Sequence, residues 1–499
     1  MNKKFLFLLI GSLVWVADIF SQVYDADALK YSYRQTGGTA RSMGVAGAFG
    51  SVGADLSSTL QNPAGIALFR ASEMSLGVGI HVSSTNSSFL EQQRSGDKTN
   101  FSFNYGGFVV AGAIKQKGKV SFSSSNLKFV NFALTYNRIS NFNRTVNYDG
   151  FNKHNVYADS WLKELNGLNG TVPDYSNAST AAVLAYNNQS VFFDSVSNQY
   201  ITYMRPPLAQ SGSIKESGAL DEVNLALGFN INEKVFFAFD AGIPFLSYSA
   251  VNEFREKDAA DSIVYFDNYT FNQQYRSSGV GFNAKFGLIV RPVAWYRGGI
   301  AFQTPTWFRL DENYYASFTE NYNSQVYSKD ADFAPFRYNL TQPMKGTVSN
   351  SFYFKQYGFI SVDYEFQNYG AIKHKFPNYD AMSNSINTIS KNKYGFAHTV
   401  RVGVEGSVNW FRIRAGYAWQ STPFKIGVGA AGYNEQRNTI AFGLGYRGKK
   451  FFADLGYQLL MYNTYSQPYQ SNDGFEPAVR TKNQLHNILL TVGWRFTKA

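Results

Sequence analysis

Hydrophobic and polar residues alternate one for one through the last hundred residues of this chain. In the run 400–408, Val400, Val402, Val404 and Val408 share one face, and Arg401, Gly403, Glu405 and Ser407 share the other. After a break at Asn409, Phe411, Ile413, Ala415, Tyr417 and Trp419 alternate with Arg412, Arg414, Gly416 and Gln420. The runs 439–446, 451–459 and 487–496 repeat the pattern, with Ile440, Leu455 and Trp494 on the apolar faces and Gly443, Asp454 and Arg495 opposite. A period of two puts successive side chains on opposite sides of a strand, and a helix cannot hold it. Similar runs near 73–83, 101–114, 128–139, 222–231, 234–247, 278–291, 295–308, 340–350 and 357–368 bring the expected number of strands to fourteen.

The connections between these runs are unequal. Those after even-numbered runs are mostly short, as at Asn232 and Glu233, 292–294, Asn409, and Gly448 and Lys449. Those after odd-numbered runs are long: 84–100, 140–221, 248–277, 309–339, 369–397, 422–435 and 463–483. A soluble β-sandwich has turns of similar length at both ends. Short turns on one side and long loops on the other mark an outer-membrane barrel, whose strands need about 9–11 residues to cross the bilayer. A strand edge cannot face lipid, so the first and last strands must pair. The fold expected is therefore all-β: a 14-stranded antiparallel transmembrane β-barrel, spanning 73–499, with both termini in the periplasm and 140–221 outside.

Composition fits this reading. Aromatic residues make up 17% of the chain and charged residues only 16%, against about 25% in soluble domains. The mean hydropathy is −0.26, and no apolar run beyond the N-terminus is long enough for a spanning helix. The N-terminus has the form of a signal peptide over 1–21: Lys3 and Lys4, an apolar run over 5–16, and a small residue, Ser21, before the expected cut. Cysteine is absent, which excludes disulfides, thiolate metal sites and a lipid anchor on Cys. The formal charge of +11 comes from Lys and Arg scattered along the chain, with no clustered stripe to suggest nucleic-acid binding.

Residues 22–72 do not alternate and are rich in glycine and alanine. A barrel of this width is not filled by its own side chains, so this segment is expected to plug it. Asn62 then Pro63 suits a helix start, because Asn caps and Pro is tolerated in the first turn. The glycines at 44, 47 and 50 have neither the dinucleotide spacing nor the Lys that a phosphate loop requires.

Several motifs resemble the FadL/TodX family of outer-membrane transporters of hydrophobic compounds, in its Bacteroidota form. They are Gly37-Gly38-Thr39-Ala40-Arg41-Ser42-Met43-Gly44, Ala46-Gly47-Ala48-Phe49 and Asn62-Pro63-Ala64-Gly65. Later stretches agree: 281–287 with Arg291-Pro292, Thr304-Pro305-Thr306-Trp307, and 358–365. The resemblance implies a 14-stranded barrel with an N-terminal hatch, whose motif falls on Asn62, Pro63 and Ala64. It implies passage of long-chain fatty acids or other hydrophobic compounds. It also implies a lateral exit at a kink in the third strand, although 127–140 contains no Gly or Pro to mark one. Some barrels of this type resemble PorV, an accessory of type IX secretion that binds exported proteins, which is the alternative reading. The partners expected are a hydrophobic small molecule and outer-membrane lipid, or secretion-system proteins on the alternative.

No enzymatic chemistry emerges. The chain has five histidines, none in a His-Glu-x-x-His arrangement, and no metal or cofactor is expected. The inward charges, including Asp240, Lys285, Asp363, Glu365 and Arg401, are expected to pair in a wet lumen. Arg412, Arg414, Glu405 and Asp454 form a candidate lumen charge cluster. Within 140–221, Trp161, Leu162, Leu165 and Leu168 recur at helical spacing and Ser179 precedes an apolar run. These are read as a lid or as an apolar groove that collects substrate.

Overall fold

The structure is a computed structural model, and it describes residues 26–496 apart from 36, 115–125, 323–324, 429–434 and 472–473. The expected signal peptide lies outside the described residues. Fourteen staves close into one antiparallel barrel. The first four are β1 (Ser72–Phe89), β2 (Gln92–Ala113), β3 (Leu127–Asn141, prolonged by Arg144–Asn152) and β4 (Leu208–Ile231). Next come β5 (Val235–Lys257), β6 (Asn268–Val293), β7 (Tyr296–Gln303 and Thr306–Tyr322) and β8 (Phe336–Gln342 and Lys345–Tyr353). The remainder are β9 (Gly358–Asn368), β10 (Phe396–Val408), β11 (Phe411–Gln420), β12 (Arg437–Arg447), β13 (Phe451–Ser466) and β14 (Val479–Phe496). The ring closes through β1 and β14, in register from Ser72 opposite Phe496 to Ser88 opposite Arg480. β7 and β8 are each interrupted where proline, Pro305 or Pro343, supplies no N–H to the ladder.

β5 shows how the sequence sets the membrane boundary. Its outward residues are Phe237, Phe239, Ala241, Ile243 and Phe245, then Ser247, Ser249, Val251, Glu253, Arg255 and Lys257. The apolar part covers about the length a bilayer core requires, and the charged part stands in water above it. The other strands carry the same outward belt, with Leu76 and Ile80 on β1, Val402 and Val404 on β10, and Leu490 and Val492 on β14 all exposed. No described helix is long and apolar enough to cross a membrane, which says nothing of a barrel.

Three of the long connections expected from the sequence, 84–100, 248–277 and 309–339, turn out to be mostly strand. The stretch 84–100 continues β1 and β2 to a tight turn at Leu90 and Glu91, both with positive φ. Likewise β5 and β6 run far into 248–277, leaving only 258–267 between them. Above the membrane the outward face is polar, so hydrophobic alternation disappears although the strand persists. The lid region 140–221 does contain helices, Tyr157–Asn166 and Thr180–Asn187. Ser179 caps the second through Ala182 N (3.4 Å), and Trp161 and Leu165 are buried.

Candidate functional site

The interior is layered. Nearest the short turns, residues 39–69 fold inside the barrel as small helical pieces. The piece Ala40–Met43 is capped by Thr39, whose hydroxyl accepts from Ser42 N and donates to Asp55. After Ser58–Gln61, Asn62 caps a 3-10 helix, Pro63–Leu68, by accepting from Ala64 N at 3.1 Å, with Pro63 in its first turn. The side chain of Asn62 also donates to the carbonyl of Leu288 on β6 at 3.3 Å. Of the hatch motif, Asn62 therefore bonds both the plug and the wall, while Pro63 and Ala64 are buried between them.

Wall and plug approach so closely that side chains are excluded. A Cβ on Gly416 would lie 2.6 Å from Ala46 N, and one on Gly287 would lie 2.7 Å from Ala64 N. Only glycine permits this approach of two backbones. The polar groups of the plug find partners on the wall. Asp363 accepts from Phe49 N and Gly50 N, both at 2.9 Å. Asn131 donates to Ile66 O (2.9 Å) and Phe69 O (2.8 Å), and Thr491 accepts from Ala40 N (2.9 Å).

Ion pairs surround this seat. Arg414 is fully buried, with Nε 2.6 Å from Glu405 and Nη1 2.8 Å from Asp454. Arg41 of the plug meets the same Glu405 at 3.0 Å, and Arg447 meets Asp454 at 2.7 Å. Three of the four residues of the candidate charge cluster thus come together. Arg412 does not join them: it lies at the turn and donates to the carbonyls of Asn409 (2.9 Å) and Phe411 (2.8 Å). Arg41 and Arg447 take the places that sequence spacing assigned to Arg412. Further pairs are Lys285 with Glu222 and Asp240, Arg401 and Lys345 with Glu365, and Lys30 and Arg144 with Glu216.

Above the plug the lumen carries two apolar clusters, with the ion-paired group Lys30, Glu216 and Arg144 between them. One cluster joins Leu29, Tyr31 and Leu60 of the N-terminal segment to wall residues such as Leu246, Leu310 and Leu340. A second, higher cluster packs Trp161 and Leu165 of the lid against Tyr269 and Phe318, with Trp161 at 5.6 Å from each ring. Two cavities, beside Met43 and beside Pro63, each have room for about one water.

One seam of the wall is incomplete. β2 and β3 pair from Ala113 opposite Phe129 to Tyr105 opposite Asn137 and no farther. Beyond that point β3 shifts register at Arg138 and breaks at Phe142 and Asn143. Its prolongation passes along the lumen side of β1, where Thr85 donates to Thr145 O at 2.6 Å. The cavity beside Met43, lined also by His81, Asn104 and Ile139, lies behind this opening. Phe101 and Phe103 of β2 are exposed to the outside at the same height.

No protein-family model and no curated protein matches the chain. Solved structures do. A FadL homologue of Pseudomonas aeruginosa superposes with a TM-score of 0.56 at 12% identity, covering 93% of this chain and 100% of that one. The chain has the FadL/TodX-type fold. The toluene transporter TodX of P. putida gives a TM-score of 0.51 at 11% identity, with 93% and 100% covered. At such identities the likeness establishes the FadL/TodX-type architecture alone. Among the described residues no group of His, Asp and Glu is arranged to hold a metal ion.

Proposed function

We propose that the chain passes hydrophobic small molecules, long-chain fatty acids or hydrocarbons, across the outer membrane. The observation that carries this reading is the pair of apolar clusters above the plug. One surrounds Trp161 at the lid and the other reaches Leu60, inside a barrel whose lumen would be expected to be polar. An apolar solute entering from outside meets side chains of its own kind at the lid and again beside the plug, with the Lys30, Glu216 and Arg144 group between. The β2–β3 seam then offers a sideways route into lipid that avoids the charged layer below. Toluene transport by TodX supports the reading by likeness of fold only. The test is uptake of labelled fatty acids and hydrocarbons by a deletion strain with and without the gene. Substitution of Asn62 or Pro63 is expected to alter uptake through plug position. Unchanged uptake of every compound tried counts against transport.

A second reading rests on a separate observation: the cavities beside Met43 and beside Pro63 hold about one water each, so the plug sits tightly against the wall. A tightly seated plug suits a PorV-like accessory that binds exported proteins with its outer loops. Recovery of secreted cargo in stoichiometric amounts from gently solubilised membranes favours this role. Lipid co-purifying with an otherwise solitary barrel favours transport.

A further inference from the structure

Lysine and arginine are exposed at both ends of the barrel, but at the end of the short turns no acid among the described residues is exposed beside them. Lys234, Lys355, Lys449 and Lys450 are all exposed, and all sit in short turns. These turns follow β4, β8 and β12, so they recur every fourth strand around the circle. None of the four enters an ion pair among the described residues. The two acids near these turns are taken already: Glu73 by Arg495 at 2.9 Å, and Glu233 by Arg70 and Arg291. Exposed acids such as Glu91, Asp174, Asp261 and Glu476 lie at the opposite end. Beside these turns stand exposed Trp295, Tyr357, Trp410 and Phe451, with Trp295 O accepting from Tyr353 N and Trp410 O from Arg447 N. Such rings settle at the headgroup level of a bilayer, which places the lysines at the height of lipid phosphates.

We propose that this rim is a binding surface for anionic phospholipid headgroups of the periplasmic leaflet. The charge is spread around the circumference, where lipids stand. A protein partner docked on one side would need a one-sided patch. The unpaired ammonium groups attract phosphate, and the neighbouring rings pack on the acyl chains just below. The inference rests on the membrane location of the apolar belt but not on transport of any solute.

The test uses the full-length mature chain in vesicles of phosphatidylcholine with minor phosphatidylglycerol. Spin-labelled forms of each lipid report which is held at the protein surface. The wild type is expected to prefer phosphatidylglycerol by about fivefold, the ratio for one cation at an anionic surface, and the preference should weaken with salt. The combined variant Lys234→Gln, Lys355→Gln, Lys449→Gln and Lys450→Gln should lose it. The variant Lys257→Gln, Lys329→Gln, Lys375→Gln and Lys391→Gln, at the other end, should keep it. Heat-dependent gel mobility shows that each variant is folded, and the pair Lys449→Gln and Lys450→Gln serves if the fourfold variant is not. Equal retention of both lipids by inserted wild type overturns the proposal. So does a preference unchanged in the rim variant, or stoichiometric capture of an acidic periplasmic protein without lipid preference. A chain that fails to insert at all overturns the membrane reading itself.

Discussion

The lower lumen and the upper lumen are held by different physics. Around the plug, glycine backbones touch and buried charges pair: Gly416 lies against Ala46, and Arg414 lies between Glu405 and Asp454. Around the lid, rings pack on rings, as with Trp161, Tyr269 and Phe318. Directional contacts tolerate little displacement, because a shifted charge loses its partner in a medium that cannot solvate it. Apolar contacts are non-directional and can be exchanged for those of a similar solute. This contrast leaves the barrel fixed at the plug and adaptable beneath the lid.

The largest break in this contrast should come from Gly416→Leu. Its side chain would occupy the space of Val45 and Ala46, so the plug cannot seat. The barrel itself, held by its ladder, should persist. In planar bilayers the wild type is expected to be silent and the variant to show a steady open conductance. A silent variant would show that the plug relocates without opening a path. Next in size is Arg414→Met. It leaves Glu405 to Arg41 and Asp454 to Arg447, and it takes away the cation that both acids share in the interior. Removing one partner of a buried pair costs about 3–5 kcal/mol, which should appear as a lower urea midpoint. An unchanged midpoint would mean that Arg41 and Arg447 suffice.

How far these two regions were legible follows from the period of their strands. Where lipid lies outside, alternation is enforced, and all fourteen strands could be read. Where water lies outside, as in 84–100, nothing selects apolar residues outward and the strand passed for a loop. The glycines at 416 and 443 lay visibly on the inward face, but glycine there also reads as a small filler. Only the fold brings Gly443 against Gly44. The β2–β3 seam had no signal either: Phe142 and Asn143 break β3 without glycine or proline, because competing bonds to β1 bend it inward. Arg41 could not be assigned to Glu405, since plug and wall are joined by no local spacing.

A smaller effect separates the regions by pH. Glu256 is buried under the lid, where its carboxylate accepts from Tyr157 N at 3.1 Å and Gln210 Nε2 at 2.6 Å. No ion pair among the described residues includes it, and burial pushes it up to about 7 from 4.5. Below pH 4.5 folded and unfolded forms both hold the proton, and burial carries no charge penalty. Between about 4.5 and 7 the unfolded form ionises first, so stability of the lid falls as pH rises, by about 3 kcal/mol in all. Glu320, beside Ser190 and Asn188, is raised to about 7 for the same reason and adds in the same direction. Hydrogen exchange over Tyr157–Asn166, corrected for intrinsic rates, should show less protection at pH 8 than at pH 5. Glu256→Gln should flatten part of that difference. A lid equally protected at both pH values would mean that these carboxylates are solvated.

The smallest effect expected is that of Arg412→Ala, and its value lies in standing two residues from Arg414. Sequence spacing puts both arginines on one face of β11, and on that ground both belong to a charge cluster. The barrel separates them by depth. Arg414 is enclosed between two acids, whereas Arg412 reaches the turn and bonds to Asn409 and Phe411 carbonyls that water can also satisfy. Substitutions away from buried partners usually stay within about 0.5 kcal/mol. The urea midpoint of Arg412→Ala should therefore match the wild type, and the double variant with Arg414→Met should match Arg414→Met alone. A midpoint as low as that of Arg414→Met would mean that Arg412 reaches Glu405 after all, and the charged layer would then extend to the periplasmic surface.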